Sequence, residues 1–303
     1  MGRFEKIPAK LLVFGEYTIL LGAPALTIPL WDFSSMLKFP SEPSSTDSIA
    51  SNRFLQLFFN YLAENKPLFE NYLDLQSLGE AISNGLYLES DIPHGFGIGS
   101  SGNVCVAIFK AFKKKDVDDL LELKNLYSQM ESFFHGKSSG IDPLAIHDAK
   151  PLMIQNGEIS FFPDDKIAIP DNIRLYLLNS GIPRSSESFI EYFLQQIEIT
   201  SVKKTVEKDY LPQLSSIIDD LSKSNPLNWN SLKKLSIMQY SLFRKMIPDI
   251  LIETWEEVNN NPQTCIKLLG AGGGGFFLVF SLQELTQLNG FKLHKINGFS
   301  NNP

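Results

Sequence analysis

Two carboxylates stand eleven residues apart in the segment ESFFHGKSSGID (131–142). Glu131 lies on a stretch with helical spacing that ends near His135, and Asp142 follows a short Gly/Ser turn. A helix end and the turn after it can direct both carboxylates into one cleft. One of them can then hold Mg²⁺, which takes one or two protein carboxylates, and the other can orient an attacking hydroxyl or accept its proton. A solvated helix position and a turn cap are the alternatives for the two acids, and a capping or packing role is favoured for His135.

The glycine-rich stretch IPHGFGIGSSG (92–102) follows a strand-like segment and precedes a helix-like one. Its glycines let backbone N–H groups approach a ligand closely, and the serine pair after them can open a helix. A helix start binds anions, because its N–H groups are free and its dipole end is positive. A serine hydroxyl there can also bind Mg²⁺. The candidate phosphate-binding residues are Gly95, Gly97, Ile98, Gly99, Ser100 and Ser101. The spacing matches neither a Walker A loop nor a dinucleotide fingerprint, and a flexible strand–helix turn is the alternative.

Two further segments could complete a phosphate-binding cleft. Four successive glycines in KLLGAGGGGFFLVF (267–280) precede an apolar strand. They predict a turn packed against a ligand or another backbone, with Gly272 and Gly273 as candidates, and a flexible hairpin tip is the alternative. Lys10 opens the strand-like run KLLVF (10–14). In a phosphate cleft its ammonium would neutralise charge or lower the pKa of a hydroxyl, whereas a lysine at a strand start usually extends into solvent.

The elements that must position these segments mix strands and helices without strict alternation, which favours an α+β fold. A polar Pro/Ser stretch at 40–48 predicts a loop or lid, and Asn156-Gly157 predicts a hairpin within 151–162. A composition shift near 163–172 predicts two domains, 1–165 and 166–303. Strands are predicted at 10–14, 25–30, 34–39, 86–90, 173–180 and 276–280, and helices at 52–64, 103–114, 117–134 and several places within 184–260.

Size, charge and composition exclude several classes of protein. The chain has 303 residues, enough for two packed lobes, and its 43% apolar and 20% charged residues are ordinary for a globular protein. A net charge of −7 gives no overall attraction for nucleic acid. Cys105 and Cys265 cannot build a disulfide framework or a four-cysteine zinc site, and they predict reduced thiols in a cytoplasmic protein. The N-terminus does not resemble a signal peptide, and Glu16 with several Gly and Pro residues interrupts the longest apolar stretch, 11–31, so no membrane partner is expected.

Taken in their order along the chain, the motifs resemble those of the GHMP kinases, small-molecule kinases named for galactose, homoserine, mevalonate and phosphomevalonate. The resemblance extends from Pro8 to about Phe280, and FHGKSSGID (134–142) is most similar to the members that phosphorylate mevalonate. It implies a two-lobed α+β fold, with an N-terminal lobe like ribosomal S5 domain 2 and a ferredoxin-like C-terminal lobe. It also implies ATP and Mg²⁺ as cofactors and mevalonate or a similar small hydroxy acid as the substrate.

The resemblance further implies roles for individual residues. Asp142 would be the catalytic base, with Lys10 beside it at the substrate hydroxyl, and Ser101 and Glu131 would bind Mg²⁺. The glycine-rich loop would hold the ATP phosphates, supported by the four glycines of the later motif. The candidates on the substrate side are Glu16, Tyr17, Arg184 and Ser186. The chain departs from the pattern of the mevalonate-phosphorylating members at Tyr17, where a histidine is usual. It also has Gly102 in place of the usual alanine and Ser138-Ser139 in place of a more typical Asn-Pro.

Several interpretations remain open at this stage. Another acceptor, such as phosphomevalonate, homoserine or a sugar, would use the same chemistry. A nucleotide-binding protein without chemistry would not need all four of Lys10, Ser101, Glu131 and Asp142, and a purely structural protein would not need three glycine-rich turns. The sequence leaves open whether the chain forms a homodimer.

Overall fold

The computed structural model describes residues 4–41, 45–162, 167–184 and 189–297. Its strands are β1 (Ile7–Phe14), β2 (Ala25–Lys38), β3 (Tyr87–Ser90), β4 (Leu152–Gln155), β5 (Glu158–Phe161), β6 (Arg174–Asn179), β7 (Thr264–Lys267), β8 (Phe276–Ser281), β9 (Gln287–Leu288) and β10 (Phe291–Lys295). Its α-helices are α1 (Thr46–Glu64), α2 (Lys66–Phe69), α3 (Leu75–Ser83), α4 (Ser100–Phe112), α5 (Leu120–His135), α6 (Ile141–His147), α7 (Phe189–Ile197), α8 (Thr200–Thr205), α9 (Leu211–Ser222), α10 (Trp229–Leu242) and α11 (Ile252–Asn260). Short 3-10 helices lie at Thr18–Leu21, Arg244–Met246 and Asp249–Leu251, and a π-helical turn lies at Val206–Tyr210.

The strands form two antiparallel sheets, which confirms the α+β class. One sheet has the order β1-β2-β4-β5, with β3 also paired to β2. The other has the order β7-β8-β6-β10-β9. The hairpin expected around Asn156-Gly157 is confirmed as β4 and β5, and both turn residues have the positive φ angles, 50° and 81°, that such a turn requires.

The chain forms two compact units. The first comprises the described residues up to Lys10, Pro29–Pro93 and Gly99–Ala149. The second comprises Leu11–Ile28, His94–Ile98 and the described residues from Lys150 onward. The domain boundary between 165 and 166 stays a prediction, and the second unit takes two stretches from the N-terminal half of the chain.

In the first unit, helices α4, α5 and α6 pack on one another. Helix α4 is buried on nearly all sides from Gly102 to Phe109, which suits a central helix. Helix α5 is amphipathic, with Leu123, Leu126 and Met130 buried on one face at helical spacing. These three helices carry the serine and the two acids that the sequence analysis selected.

In the second unit, the core follows the buried strands of the second sheet. All residues of β7 and β8 are buried, and β6 is buried between its two ends. Helices α10 and α11 pack on β7. Ser236 of α10 ties the two layers together, because its hydroxyl donates to the Ile266 carbonyl at 2.6 Å.

Several local predictions were wrong at their boundaries, among them the strand expected at 10–14, which begins at Ile7 as β1. Strands expected at 25–30 and 34–39 form the single strand β2. The helix expected from residue 52 begins at Thr46, because the Ser45 hydroxyl caps it by accepting from the Ser48 N–H at 3.0 Å. The Pro/Ser loop is therefore shorter than expected, and its residues 42–44 lie outside the described residues.

Across the described ranges, we found no helix that combines the length and the apolar character needed to cross a bilayer.

The glycine-rich stretch leads into α4 as expected, with Gly99 at the N-cap in the left-handed region at φ 84°.

Candidate active site

A serine and a buried glutamate form the centre of the candidate site in the first unit. Ser101, in the first turn of α4, donates its hydroxyl to Glu131 Oε1 at 2.9 Å. Glu131 lies in the last turns of α5 and is only 4% exposed. The Ser138 hydroxyl donates to the other carboxylate oxygen, Oε2. The ring of His135 reaches the same place, with Nε2 3.2 Å from Ser101 Oγ.

Asp142 and Lys10 form an ion pair in the same unit. Lys10 Nζ lies 2.8 Å from Asp142 Oδ1. The lysine side chain is only 5% exposed, whereas the aspartate is 45% exposed. Lys10 lies within β1 rather than at its start, and the alternative that its side chain extends into solvent is wrong. The pair combines a sheltered cation with a carboxylate that remains open to a ligand.

The helices that carry these groups lie unusually close together at Gly102. A Cβ on Gly102 would lie 2.9 Å from the backbone nitrogen of Pro143, the residue after Asp142. The absence of a side chain therefore lets the start of α4 approach the start of α6. This contact brings Ser101 and Asp142 to the same end of the helix group.

Opposing effects act on the pKa of the buried Glu131 carboxyl. Burial, and secondarily the Asp142 charge, raise the pKa of Glu131, while the hydrogen bonds from Ser138 and Ser101 lower it. No group of three or more His, Cys, Asp or Glu side chains able to hold a metal occurs within the described residues. One carboxylate with one hydroxyl instead suits Mg²⁺, which keeps several waters and binds substrate phosphates. The donor set therefore fits Mg²⁺ with a nucleotide rather than a metal held by protein alone.

The start of α4 offers an anion site. Among the described side chains none caps this helix, so the N–H groups of its first turn are available to a ligand. Ser100 and Ser101 are the first two residues of the helix, and Gly99 precedes them. These three predicted phosphate-binding residues are thus at a helix N-terminus, as the sequence analysis expected.

The remaining glycines of that loop belong to the second unit, where Arg184 organises them. The Arg184 N–H donates to the Gly95 carbonyl at 3.2 Å, and its Nη2 donates to the Leu269 carbonyl at 2.5 Å. A Cβ on Gly97 would overlap the guanidinium. Ile98 is fully buried beside these residues. Arg184 therefore links the glycine-rich stretch to the residues before the four-glycine motif.

The four-glycine motif is held by backbone hydrogen bonds within the second unit. The Gly273 N–H donates to the Met246 carbonyl at 2.7 Å, and the Gly275 N–H donates to the Ile182 carbonyl at 2.8 Å. Gly272 also packs against Met246. The packed turn that the sequence analysis predicted is confirmed in place of a flexible hairpin tip, and its partner there is backbone.

Glu16 is buried in the second unit. It forms an ion pair with Lys267, and the two side chains are 1% and 2% exposed. Gln239 completes the network, since its Nε2 lies 3.4 Å from Glu16 Oε2 and its Oε1 accepts from the Leu268 N–H at 3.0 Å. Burial raises the pKa of Glu16 and lowers that of Lys267, and their mutual attraction offsets part of both shifts.

Tyr17 also faces the four-glycine motif. Its hydroxyl donates to the Ala271 carbonyl, and its ring packs against Phe193 and Phe243. Burial raises the pKa of Tyr17, so the phenol stays a hydrogen-bond donor. Substrate roles for Glu16, Tyr17 and Arg184 stay predictions, and Ser186 lies outside the described residues.

Sequence reasoning missed two residues that the structure connects to these groups. Lys267 stands at the start of the glycine motif, and a lysine at the end of a buried strand is a signal of a buried ion pair. Ser138 lies in a turn, and nothing in its spacing indicates that it reaches the glutamate on the preceding helix.

Known proteins resemble this chain in sequence. Residues 54–147 match the family described as GHMP kinases N terminal domain. A mevalonate kinase from Dictyostelium discoideum is 23% identical over 371 aligned residues, which cover 96% of this chain and 91% of that protein. The resemblance to the GHMP kinases, and to mevalonate kinases among them, is thereby confirmed.

Solved structures show the same fold. The L. major mevalonate kinase in complex with R-mevalonate has a TM-score of 0.60 at 19% identity, covering 94% of this chain and 88% of that one. The Streptococcus pneumoniae phosphomevalonate kinase in complex with phosphomevalonate and AMPPNP has a TM-score of 0.56 at 17% identity, covering 92% of each chain. The chain therefore has the fold of these kinases, and two acceptors are represented among its neighbours.

Proposed function

We propose that this relative of the GHMP kinases is an ATP-dependent kinase that phosphorylates the hydroxyl of mevalonate to give 5-phosphomevalonate. The observation that carries the proposal is the half-exposed Asp142, paired with the buried Lys10 in the same unit as the Ser101–Glu131 pair. A degenerate nucleotide-binding protein would have no physical need to keep both pairs in bonding distance.

The mechanism assigns one task to each group. Asp142 orients the substrate hydroxyl and accepts its proton as the oxygen bonds to the γ-phosphorus, and ADP leaves with the electrons of the broken P–O bond. Lys10 offsets the negative charge that gathers at the reacting oxygens. The α4 start and the glycine-rich stretch hold the phosphates through backbone N–H groups.

Ser101 and Glu131 would hold Mg²⁺ on the nucleotide, and the ion when bound supplies charge neutralisation between the β- and γ-phosphates. The protein then contributes mainly position, because an acceptor and a phosphate held in line react far faster than the same groups in solution. The half-exposed Asp142 and the buried Glu131 suit these separate tasks.

The choice of mevalonate among acceptors is supported by the relatives and by charge. The acceptor carboxylate needs a cation or hydrogen-bond donors, which Arg184 or Lys10 could supply, whereas a sugar needs none. Tyr17 stands where a histidine is usual, so the acceptor deserves a direct test.

The experiment is ADP release from Mg·ATP with the purified chain, offered mevalonate, phosphomevalonate, homoserine or galactose in turn. We expect release with mevalonate and background rates with the others. Release with a different acceptor would keep the kinase and discard mevalonate. ATP binding without release for any acceptor would favour a nucleotide-binding protein without chemistry.

A further inference from the structure

Both oxygens of the Glu131 carboxylate have a serine donor. Ser101 donates to Oε1 at 2.9 Å, and Ser138 donates to Oε2. The two serines come from different elements, since Ser101 opens α4 and Ser138 lies in the turn between α5 and α6. The carboxylate is 4% exposed, so water has little access to replace either donor.

Ser138 is itself held on two sides. Its carbonyl accepts from the Ser128 hydroxyl at 2.6 Å, which fixes the turn to the body of α5. Its Oγ also accepts from the Gly140 N–H at 3.1 Å. Gly140 is the N-cap of α6, and Asp142 lies in the first turn of that helix. One hydroxyl therefore touches both the glutamate and the residue that begins the aspartate's helix.

We propose that Ser138 is a positioning residue that holds Glu131 Oε2, so that Oε1 alone is presented beside Ser101 to a divalent cation on the nucleotide. This rests on the proposed function, because it concerns the cation that the kinase would use.

The physical reason is that a carboxylate has two equivalent oxygens and rotates about its last torsion. A donor on one oxygen selects one orientation and blocks two-oxygen binding of a cation. Mg²⁺ requires near-ideal octahedral geometry, so a fixed single oxygen suits it better than a rotating pair. Hydrogen bonds behind a metal ligand are worth about 10–100-fold in metal affinity when they are removed.

The experiment measures binding rather than turnover. Mn²⁺, which is visible by electron paramagnetic resonance, is titrated into the full chain with a non-hydrolysable ATP analogue at saturation. For Ser138→Ala we expect Mn²⁺ affinity to fall by roughly 10–100-fold. The same variant should show a raised Mg²⁺ requirement in turnover, with kcat at saturating Mg²⁺ changed much less. Analogue binding without metal should stay at the wild-type level.

Two further variants keep the test sharp. Ser138→Thr retains the hydroxyl and should restore Mn²⁺ affinity to within about threefold of wild type, as expected when only the donor matters. Ser132→Ala removes the same atom from α5, where that hydroxyl donates to the Ser128 carbonyl at 2.7 Å, and it should leave Mn²⁺ affinity unchanged. Thermal unfolding of each metal-free variant checks that it is folded.

The outcomes separate this proposal from the function on which it rests. Wild-type Mn²⁺ affinity in a folded Ser138→Ala chain overturns the positioning role and leaves the kinase proposal standing. Equal loss in Ser138→Ala and Ser138→Thr also overturns the role, because the hydroxyl would then not be the cause. Absence of any Mn²⁺–analogue binding in the wild-type chain, together with no ADP release, overturns the kinase proposal itself.

Discussion

Two lysine–carboxylate pairs, one in each unit, differ in how far their acids are open to solvent. In the first unit Lys10 faces Asp142, and in the second Lys267 faces Glu16. Both lysines are buried, at 5% and 2% exposure. The aspartate is 45% exposed, whereas the glutamate is 1% exposed.

In the proposed mechanism this difference separates a pair that takes part in the reaction, Lys10–Asp142, from a pair with a structural role, Lys267–Glu16. An exposed carboxylate can exchange part of its contact with a lysine for a substrate hydroxyl. A buried carboxylate has no such exchange, and removing its partner leaves an uncompensated charge in the interior. The sequence analysis names both acids as site candidates, and burial is what distinguishes them in the structure.

The largest effect is expected at the pair with the exposed acid, Lys10–Asp142. Asp142→Asn keeps the shape of the side chain and removes the base, and general base catalysis is worth about 10²–10⁴-fold. We expect kcat for ADP release with mevalonate to fall by that factor, while the free energy of unfolding changes little. Turnover within a fewfold of wild type would remove Asp142 from the catalytic role.

The closed pair, Glu16–Lys267, should show the opposite pattern, with a large loss of stability when one partner is changed. Glu16→Gln leaves Lys267 buried without its counter-charge, and breaking such a pair costs about 3–5 kcal/mol of stability. Urea unfolding measures this cost. The double variant Glu16→Gln/Lys267→Met should recover most of the loss, because no buried charge remains. A single variant as stable as wild type would mean that the pair is not needed in the folded chain.

An intermediate effect is expected at Glu131. It is buried like Glu16, but its carboxylate accepts from two serines instead of pairing with a lysine. Glu131→Gln keeps the size of the side chain and removes its charge. The Mg²⁺ concentration for half-maximal ADP release should rise by more than the roughly 10–100-fold expected from losing a supporting hydrogen bond. An unchanged Mg²⁺ titration would exclude this residue as a metal ligand.

The smallest effect is expected beside the closed pair. Tyr17→Phe removes the hydroxyl that donates to the Ala271 carbonyl, and a single hydrogen bond contributes about 0.5–1.5 kcal/mol to stability. Urea unfolding should show a loss in that range, with ADP release from Mg·ATP in the presence of mevalonate retained. The control is Tyr61→Phe in the first unit, whose exposed hydroxyl donates to the Gln129 carbonyl at 2.8 Å. A larger loss in the control would contradict this assignment.

The sequence predicted local features well. The hairpin at Asn156-Gly157, the helix start after the glycine-rich stretch and the packed turn at the four glycines follow from short-range chemistry, and all are present. The spacing of Glu131 and Asp142 also follows from one helix end and its turn.

Long-range pairing was the part that the sequence did not predict. Lys267 meets a glutamate near the start of the chain, and no local pattern identifies such a partner. The second unit likewise includes Leu11–Ile28, which lies far from the rest of that unit in sequence. Burial depends on such contacts, and so the difference between the two lysine–carboxylate pairs became visible only in three dimensions.

The contact between Gly102 and Pro143 has a consequence for engineering the protein. The residue at this position limits how closely the start of α4, which carries Ser101, can approach the start of α6, which carries Asp142. Gly102→Ala adds one methyl group against backbone rather than against a movable side chain, since its Cβ would lie 2.9 Å from Pro143 N. Position 102 is therefore a steric spacer between α4 and α6, and a larger residue there would move the two helix starts apart while every charge is kept.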